Sequence, residues 1–273
     1  MMIPLTIQCA IASWVTIVLG THGMSSVINM ACASSTTSVG ICYESILNGK
    51  CDMAVCGGTS YIGDRNLTMF KGFEYLKCSS TNKEGNVYPF SKEKNGFLFS
   101  EGAACMLVIE ELEHALKRGA EIYAEITGFA CSSDAYNVVS MYPNGTIVEN
   151  MLKKLVQGKK VDYYNAHGTA TILNDEVEAK IIQNVFGDAD SQPAINSSKA
   201  FLGHTLGASG AIELAVCADS IRRNKVHGNL CGTILENLNY TPETREMQVD
   251  CAVSSSLGFG GHNSAIMVER YRK

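Results

Sequence analysis

Apolar runs bounded by glycine alternate with stretches whose apolar residues recur every three to four positions. That is the pattern of strand–helix–strand units around a sheet. Residues 5–19 read as a helix and 24–30 as a short strand running into Cys32. Ser34 to Asn48 reads as a helix stopped by Gly49. CDMAVCGGTS holds a buried strand at 52–56 closed by Gly57 and Gly58. Residues 63–99 are polar, with turn signals at Glu84-Gly85-Asn86 and Tyr88-Pro89, and predict a surface excursion. GAACMLVIEEL and EIYAEITGFACSS predict two strands flanking a helical stretch at 112–118.

The second half repeats the arrangement. A helix at 145–157 precedes the strand VDYYNA, a helix at 174–186, the strand AINSS and a long helix at 206–223. Strands near 229–235, 251–256 and 264–270 complete the sheet. Each half sets reactive residues where a strand ends and a helix begins, the usual site position in open α/β sheets. No low-complexity linker separates the halves, which predicts that they pack as one unit.

Composition narrows the class. The chain has 273 residues, long enough for one large α/β domain or two smaller ones. Its net charge of −5 comes without a Lys/Arg-rich run, which argues against a nucleic-acid footprint. The 11 cysteines are odd in number and often sit in apolar runs, as at Cys42, Cys105 and Cys217. They read as reduced, buried small hydrophobes of a cytoplasmic protein. No CxxC occurs, and Cys51 with Cys56 has no matching His pair, which argues against zinc. The first 43 residues carry no Asp, Glu, Lys or Arg. The opening apolar run lacks a positive leading segment, is broken by Gln8, Ser13 and Thr16, and is too short to span a bilayer. It reads as a helix buried between other elements.

Four segments carry chemistry. Cys32, in NMACASSTTSVG, stands at the mouth of a helix. A helix N-terminus stabilises a nearby anion by roughly 0.3–2 kcal/mol, enough to lower a thiol pKa and enrich the thiolate. Taken alone, the residue reads equally as a buried core cysteine. His167 follows a strand in NAHGTAT, whose hydroxyls could hold an amide-bearing arm, and it is either a structural residue or a site. His204 lies in LGHTLGASG, where Gly207 and Gly210 permit close helix packing. Its position near a helix start favours the neutral ring. Lys199 reads as buried and paired with an acid such as Glu178 or Glu213, or else as a surface lysine. A buried ammonium beside two imidazoles would lower their pKa values. Neutral rings can then donate N–H bonds to a developing oxyanion or enolate. Glycines around Phe259 in GFGGHN free its N–H to face a substrate carbonyl, while the ring blocks or opens a tunnel; the match to a nucleotide-binding glycine loop is weak. His22, His114, His227 and His262 have no companions in sequence and read as surface or structural.

In this order, the segments resemble the β-ketoacyl-acyl carrier protein synthases, particularly the type II elongating enzymes of fatty acid and polyketide synthesis. The spacings are 135 residues from Cys32 to His167, 37 on to His204 and 55 on to Phe259. The resemblance implies a thiolase-like α/β fold, five layers ordered αβαβα in two related halves. Residues 1–120 would be the remainder of the N-terminal half with the nucleophile, and 121–273 the C-terminal half with both histidines and the lysine. Cys32 would be acylated, His167 and His204 would promote decarboxylation of a malonyl thioester, and Lys199 would tune them. The N–H groups of Cys32 and Phe259 would form an oxyanion hole, with Phe259 also gating. Thr169 and Thr171 would hold phosphopantetheine. The implied partners are acyl carrier protein, bearing acyl and malonyl groups, and a second ketosynthase-like chain in a homo- or heterodimer. Neither metal nor organic cofactor is implied.

The sequence also departs from the family. Only 31 residues precede the cysteine, so the N-terminal half is expected to be incomplete. Thr6 falls where the family reaches across the dimer interface. Ala170 replaces Gly or Ser, Asn29-Met30 replaces the usual residues before Ala-Cys, and Tyr88-Pro89-Phe90-Ser91 stands for Arg-Pro-Phe-Asp, losing an expected buried ion pair. Two other readings stay open. One is a non-catalytic or chain-length-setting partner in a heterodimer. The other is a thiolase, which GHTLGASG also resembles.

Overall fold

The computed structural model describes residues 7–272, so Thr6 lies outside the described residues. Its helices are α1 (Ala10–Leu19), α2 (Ser34–Leu47), α3 (Thr68–Tyr75), α4 (Leu112–Lys117), α5 (Thr146–Leu155), α6 (Ile172–Phe186), α7 (Lys199–Leu202) and α8 (Ser209–Arg223). The strands are β1 (Met53–Tyr61), β2 (Gly102–Glu110), β3 (Glu125–Ser133), β4 (Tyr163–Asn165), β5 (Ala194–Asn196), β6 (Lys225–Val226), β7 (Arg245–Glu246), β8 (Cys251–Gly258) and β9 (His262–Glu269).

A five-stranded mixed sheet, ordered β3-β9-β8-β4-β5, forms the centre. Strand β4 runs parallel to β5 and β8, while β8, β9 and β3 pair antiparallel. Because successive strand residues face opposite sides, Tyr164, Val253 and Met267 enter one core while Tyr163, Ala252 and Ile266 enter the other. Helices α5 and α6 cover the first face through Leu152, Ile181 and Ile182. Helices α2 and α8 cover the second through Val39, Leu214, Cys217 and Ile221. Strands β1 and β2 pair antiparallel and pack on the far side of α2 and α8. Strands β4 and β5 are buried at every position, Asn165 and Asn196 included, so neither alternates between apolar and exposed polar residues.

Several expected elements change. The segment 24–30 forms no strand; Met30 makes an isolated bridge and the rest pairs with nothing among the described residues. Strand β1 runs on through Gly57 and Gly58 to Tyr61 instead of closing there. No strand forms at 229–235, where Ile234 makes one bridge to Ser91. Helix α1 buries none of its residues, against the expectation of a buried helix. The 63–99 segment is not wholly a surface excursion. It contains α3 and buries Val87, Phe90, Ser91 and Phe97. Its polar residues satisfy one another in turns, as where Thr68 N–H donates to Asp64 at 2.7 Å, leaving its aromatics free to pack inward.

Candidate active site

The nucleophile's placement begins with backbone strain. Ala31, at φ 48°, turns the chain in a left-handed conformation disfavoured for an L-residue and delivers Cys32 to the mouth of α2. The turn is tied down by Ser34, whose Oγ donates to the Ala31 carbonyl at 2.6 Å and accepts from the Met30 N–H at 2.9 Å. Gly258, at the end of β8, is held so close that an added Cβ would sit 2.9 Å from the Met30 carbonyl oxygen and 3.3 Å from the Cys32 nitrogen. This brings the β8–β9 turn, with Phe259, over the thiol, where the Phe259 N–H pulls the thiol pKa down. That turn runs through Gly260 at φ 84° and Gly261 at φ 72°, a left-handed pair suited to glycine.

His204 Nε2 lies 3.1 Å from Cys32 Sγ. Its Nδ1 accepts the Leu206 N–H at 3.2 Å, so the neutral ring carries its proton on Nε2, aimed at the sulfur. The 63–99 segment clamps this histidine: His204 N–H donates to the Leu98 carbonyl at 2.6 Å, and Phe97 meets the ring edge-on at 5.0 Å. His167 completes the group, its ring 5.6 Å from that of His204 and nearly perpendicular. The three side chains therefore share one location.

Lys199 is buried with Glu213, and the two form an ion pair; both side chains are 2% exposed. Of the two acids expected for Lys199, Glu213 is the partner. Glu178 instead accepts the N–H groups of His167 and Gly168, each at 2.8 Å, and fixes the turn at the end of β4. Thr169 and Thr171 lie in that turn with their hydroxyls 2.9 Å apart. Between them Ala170 adopts φ 61°. Its N–H goes to Asp175 at 3.1 Å, and the other oxygen of that carboxylate accepts the Phe90 N–H at 2.7 Å.

Burial dominates the electrostatics. It pushes the Cys32 thiol up to about 11, outweighing the Lys199 ammonium and the Phe259 N–H, which pull it down. The expectation of a lowered thiol pKa is thus corrected: desolvation of the anion exceeds what the helix terminus can return. Burial also holds both imidazoles well below their usual value, and Lys199 pushes in the same direction. Burial raises Glu178 and Glu213, and lifts Asp175 to about 7.

Asp175, Asn174 and the Phe97–Phe99 clamp belong to the site although sequence reading passed over them. An Asp three residues before Glu178, on the same helical face, was the available signal. His227, expected to lack companions, sits 3.4 Å from the Ser198 hydroxyl, next to Lys199. At the position of the expected lost ion pair, Ser91 donates to Glu93 at 2.6 Å, and Glu93 accepts from Thr233. Asn165 Oδ1, Ser254 Oγ and Glu213 Oε2 are buried without a hydrogen-bond partner. Asn165 and Ser254 are register partners across β4 and β8. Such oxygens suit water or a hard cation better than a thiophilic metal. No cluster of three or more His, Cys, Asp or Glu side chains with metal-binding geometry occurs among the described residues.

Comparison with known proteins places these features in a family. The Beta-ketoacyl synthase, N-terminal domain matches residues 1–115, and the Beta-ketoacyl synthase, C-terminal domain matches residues 123–232. A 3-oxoacyl-[acyl-carrier-protein] synthase 2 of Staphylococcus aureus (strain COL) is 35% identical over 280 residues, covering 98% of this chain and 67% of that protein. A type II polyketide ketosynthase, solved in complex with its acyl-carrier protein and bound to the hexaketide, superposes with a TM-score of 0.90 at 29% identity. That match covers 96% of this chain and 67% of the other. The ishigamide ketosynthase/chain length factor gives 0.88 at 29% identity, covering 97% and 66%.

Proposed function

Because the chain belongs to the β-ketoacyl synthase family and has its thiolase-like fold, we propose that its buried thiol and imidazoles perform a decarboxylative Claisen condensation on carrier-protein thioesters. The observation that carries this reading is the 3.1 Å approach of His204 Nε2 to Cys32 Sγ with Nδ1 already occupied by a backbone donor. A ring so locked is an N–H donor toward the sulfur and the substrate, and not a base.

In the first half-reaction Cys32 Sγ attacks the thioester carbonyl of an acyl group carried on phosphopantetheine. The proton of Cys32 leaves with the departing pantetheine thiol, so a thiol with a raised pKa exchanges one thioester for another without a net charge. The N–H groups of Phe259 and Cys32 donate hydrogen bonds to the developing oxyanion. Thr169 and Thr171 line the arm. In the second half-reaction a malonyl thioester loses CO2, and the Nε2–H groups of His167 and His204 stabilise the enolate oxygen. The enolate carbon attacks the Cys32 thioester, releasing a 3-ketoacyl product and the thiolate, which takes up a proton. Depressed imidazole pKa values keep both rings neutral for this work. Residues 1–120 supply the thiol and 121–273 the imidazoles and lysine. The partners are acyl carrier protein and a second ketosynthase-like chain. With all 11 cysteines free, a cytoplasmic setting fits.

The test is release of CO2 from malonyl-carrier protein. His167→Ala and His204→Ala are each expected to lose about 10²- to 10³-fold, as removal of one oxyanion donor does. Unchanged release in both variants would overturn the assignment.

A further inference from the structure

Beyond Cys32 and the histidines, a chain of rings packed edge-on or tilted against one another runs from an exposed helix into the site. On α3, Phe73 alone is half-buried; the other seven residues of the helix are exposed. Its ring lies 6.0 Å from Phe259 and 4.6 Å from Phe99. Phe99 meets Phe97 at 4.7 Å, and Phe97 meets His204 at 5.0 Å. Phe70 contributes an edge contact to Phe99 at 6.1 Å. Thus one side chain touches both the ring expected to gate the pocket and the aromatic clamp on the catalytic imidazole.

The backbone bends where these contacts meet. Helix α3 is entered through Leu67 at φ 52° and left through Lys77 at φ 56°, both left-handed. It has no buried face to hold it to the body. Phe259 sits on a turn followed by two glycines at positive φ. Gly258 beside it is packed against the Cys32 and Ala33 nitrogens, so a shift of this turn moves the pocket's cover relative to the reacting thiol.

We propose that Phe73 is a specificity-determining positioning residue: its ring braces Phe259 over Cys32, and α3 must yield before a long acyl chain reaches the thiol. Short acyl groups pass with Phe73 in place, whereas long ones require the Phe73–Phe259 contact to open. The inference rests on the condensing-enzyme reading.

The experiment compares alkylation of Cys32 by iodoacetamide and by N-octyl iodoacetamide, read by mass spectrometry of the Cys32 peptide. The proteins are the wild type, Phe73→Ala and Phe73→Leu, each first shown to keep the wild-type thermal midpoint. Loss of one ring–ring contact corresponds to roughly a 2- to 10-fold change. Phe73→Ala is therefore expected to raise the octyl-to-unsubstituted rate ratio by about that factor, and Phe73→Leu by less. An unchanged ratio in both variants, or equal acceleration of both reagents, overturns the brace and leaves the functional reading intact. Silence of Cys32 toward both reagents in every protein, while other cysteines react, overturns both.

Discussion

A thiol at a helix mouth is subject to two opposed effects, and here burial wins. The helix terminus offers at most about 2 kcal/mol to an anion, while enclosure by β8, α2 and the 97–99 segment removes the water that would solvate it. With the pKa pushed up to about 11, alkylation of Cys32 by iodoacetamide is expected to climb about tenfold per pH unit between pH 7 and 10 without levelling. A plateau near neutral pH, measured by mass spectrometry of the peptide, would contradict this. Lys199 acts on the other side of the site. Lys199→Met leaves Glu213 buried without its partner and is expected to cost about 3–5 kcal/mol in a denaturant titration. It also removes the smaller of the two causes that depress both imidazoles, burial being the larger, so the acid limb of decarboxylation should move to higher pH; an unmoved limb would remove Lys199 from the tuning role. Cys32, His167, His204, Lys199 and Phe259 were legible because each sits in a motif of small residues: a helix mouth for Cys32, strand ends for His167 and Lys199, the approach to a helix for His204 and a glycine turn between strands for Phe259. The carboxylate assignment between Glu178 and Glu213 was not, because both lie on buried helix faces and only tertiary contacts tell them apart.

At the scale of elements, catalytic geometry depends on one helix crossing. Helix α2 carries the thiol at its mouth and α8 follows His204. They meet where an added Cβ on Gly210 would lie 1.8 Å from Thr36 Oγ1. The Ala211 N–H reaches Ser35 Oγ at 3.0 Å across the same contact. Gly210→Ala must push the helices apart and is expected to cost about 1–3 kcal/mol, with loss of condensation exceeding loss of stability. Wild-type activity and stability in this variant would show that the crossing does not set the site. The glycines of LGASG announced this contact in the sequence. The interior strands were equally readable, since β4 and β5 are buried on both faces. The 63–99 segment was not: its polar turns mask the few aromatics, Phe97 against the imidazole and Phe73 and Phe99 packed behind it. Nor was the extended 24–30 segment, whose apolar residues have the composition of a strand but no paired neighbour.

Taken whole, the molecule presents a bare sheet face. One side of β1–β2 packs on α2 and α8. The other exposes Tyr61, Met106 and Val108, the last two at 48% and 60%. Exposed apolar strand surface of this kind marks an interaction site. The chain at micromolar concentration is accordingly expected to sediment as a dimer or larger species, and a monodisperse monomer would contradict self-association through this face. No helix among the described residues is long and apolar enough to cross a membrane. The central claim, that one thiol and two imidazoles act together, is tested most directly in a single turnover. Octanoyl-carrier protein is mixed with the protein in the assembly it forms, and the Cys32 peptide is weighed before and after malonyl-carrier protein is added. The account predicts an octanoyl adduct on Cys32 that discharges into a 3-ketodecanoyl thioester, and that accumulates undischarged in His204→Ala. An octanoyl group on any other residue, or an adduct that ignores malonyl-carrier protein in the wild type, would contradict it.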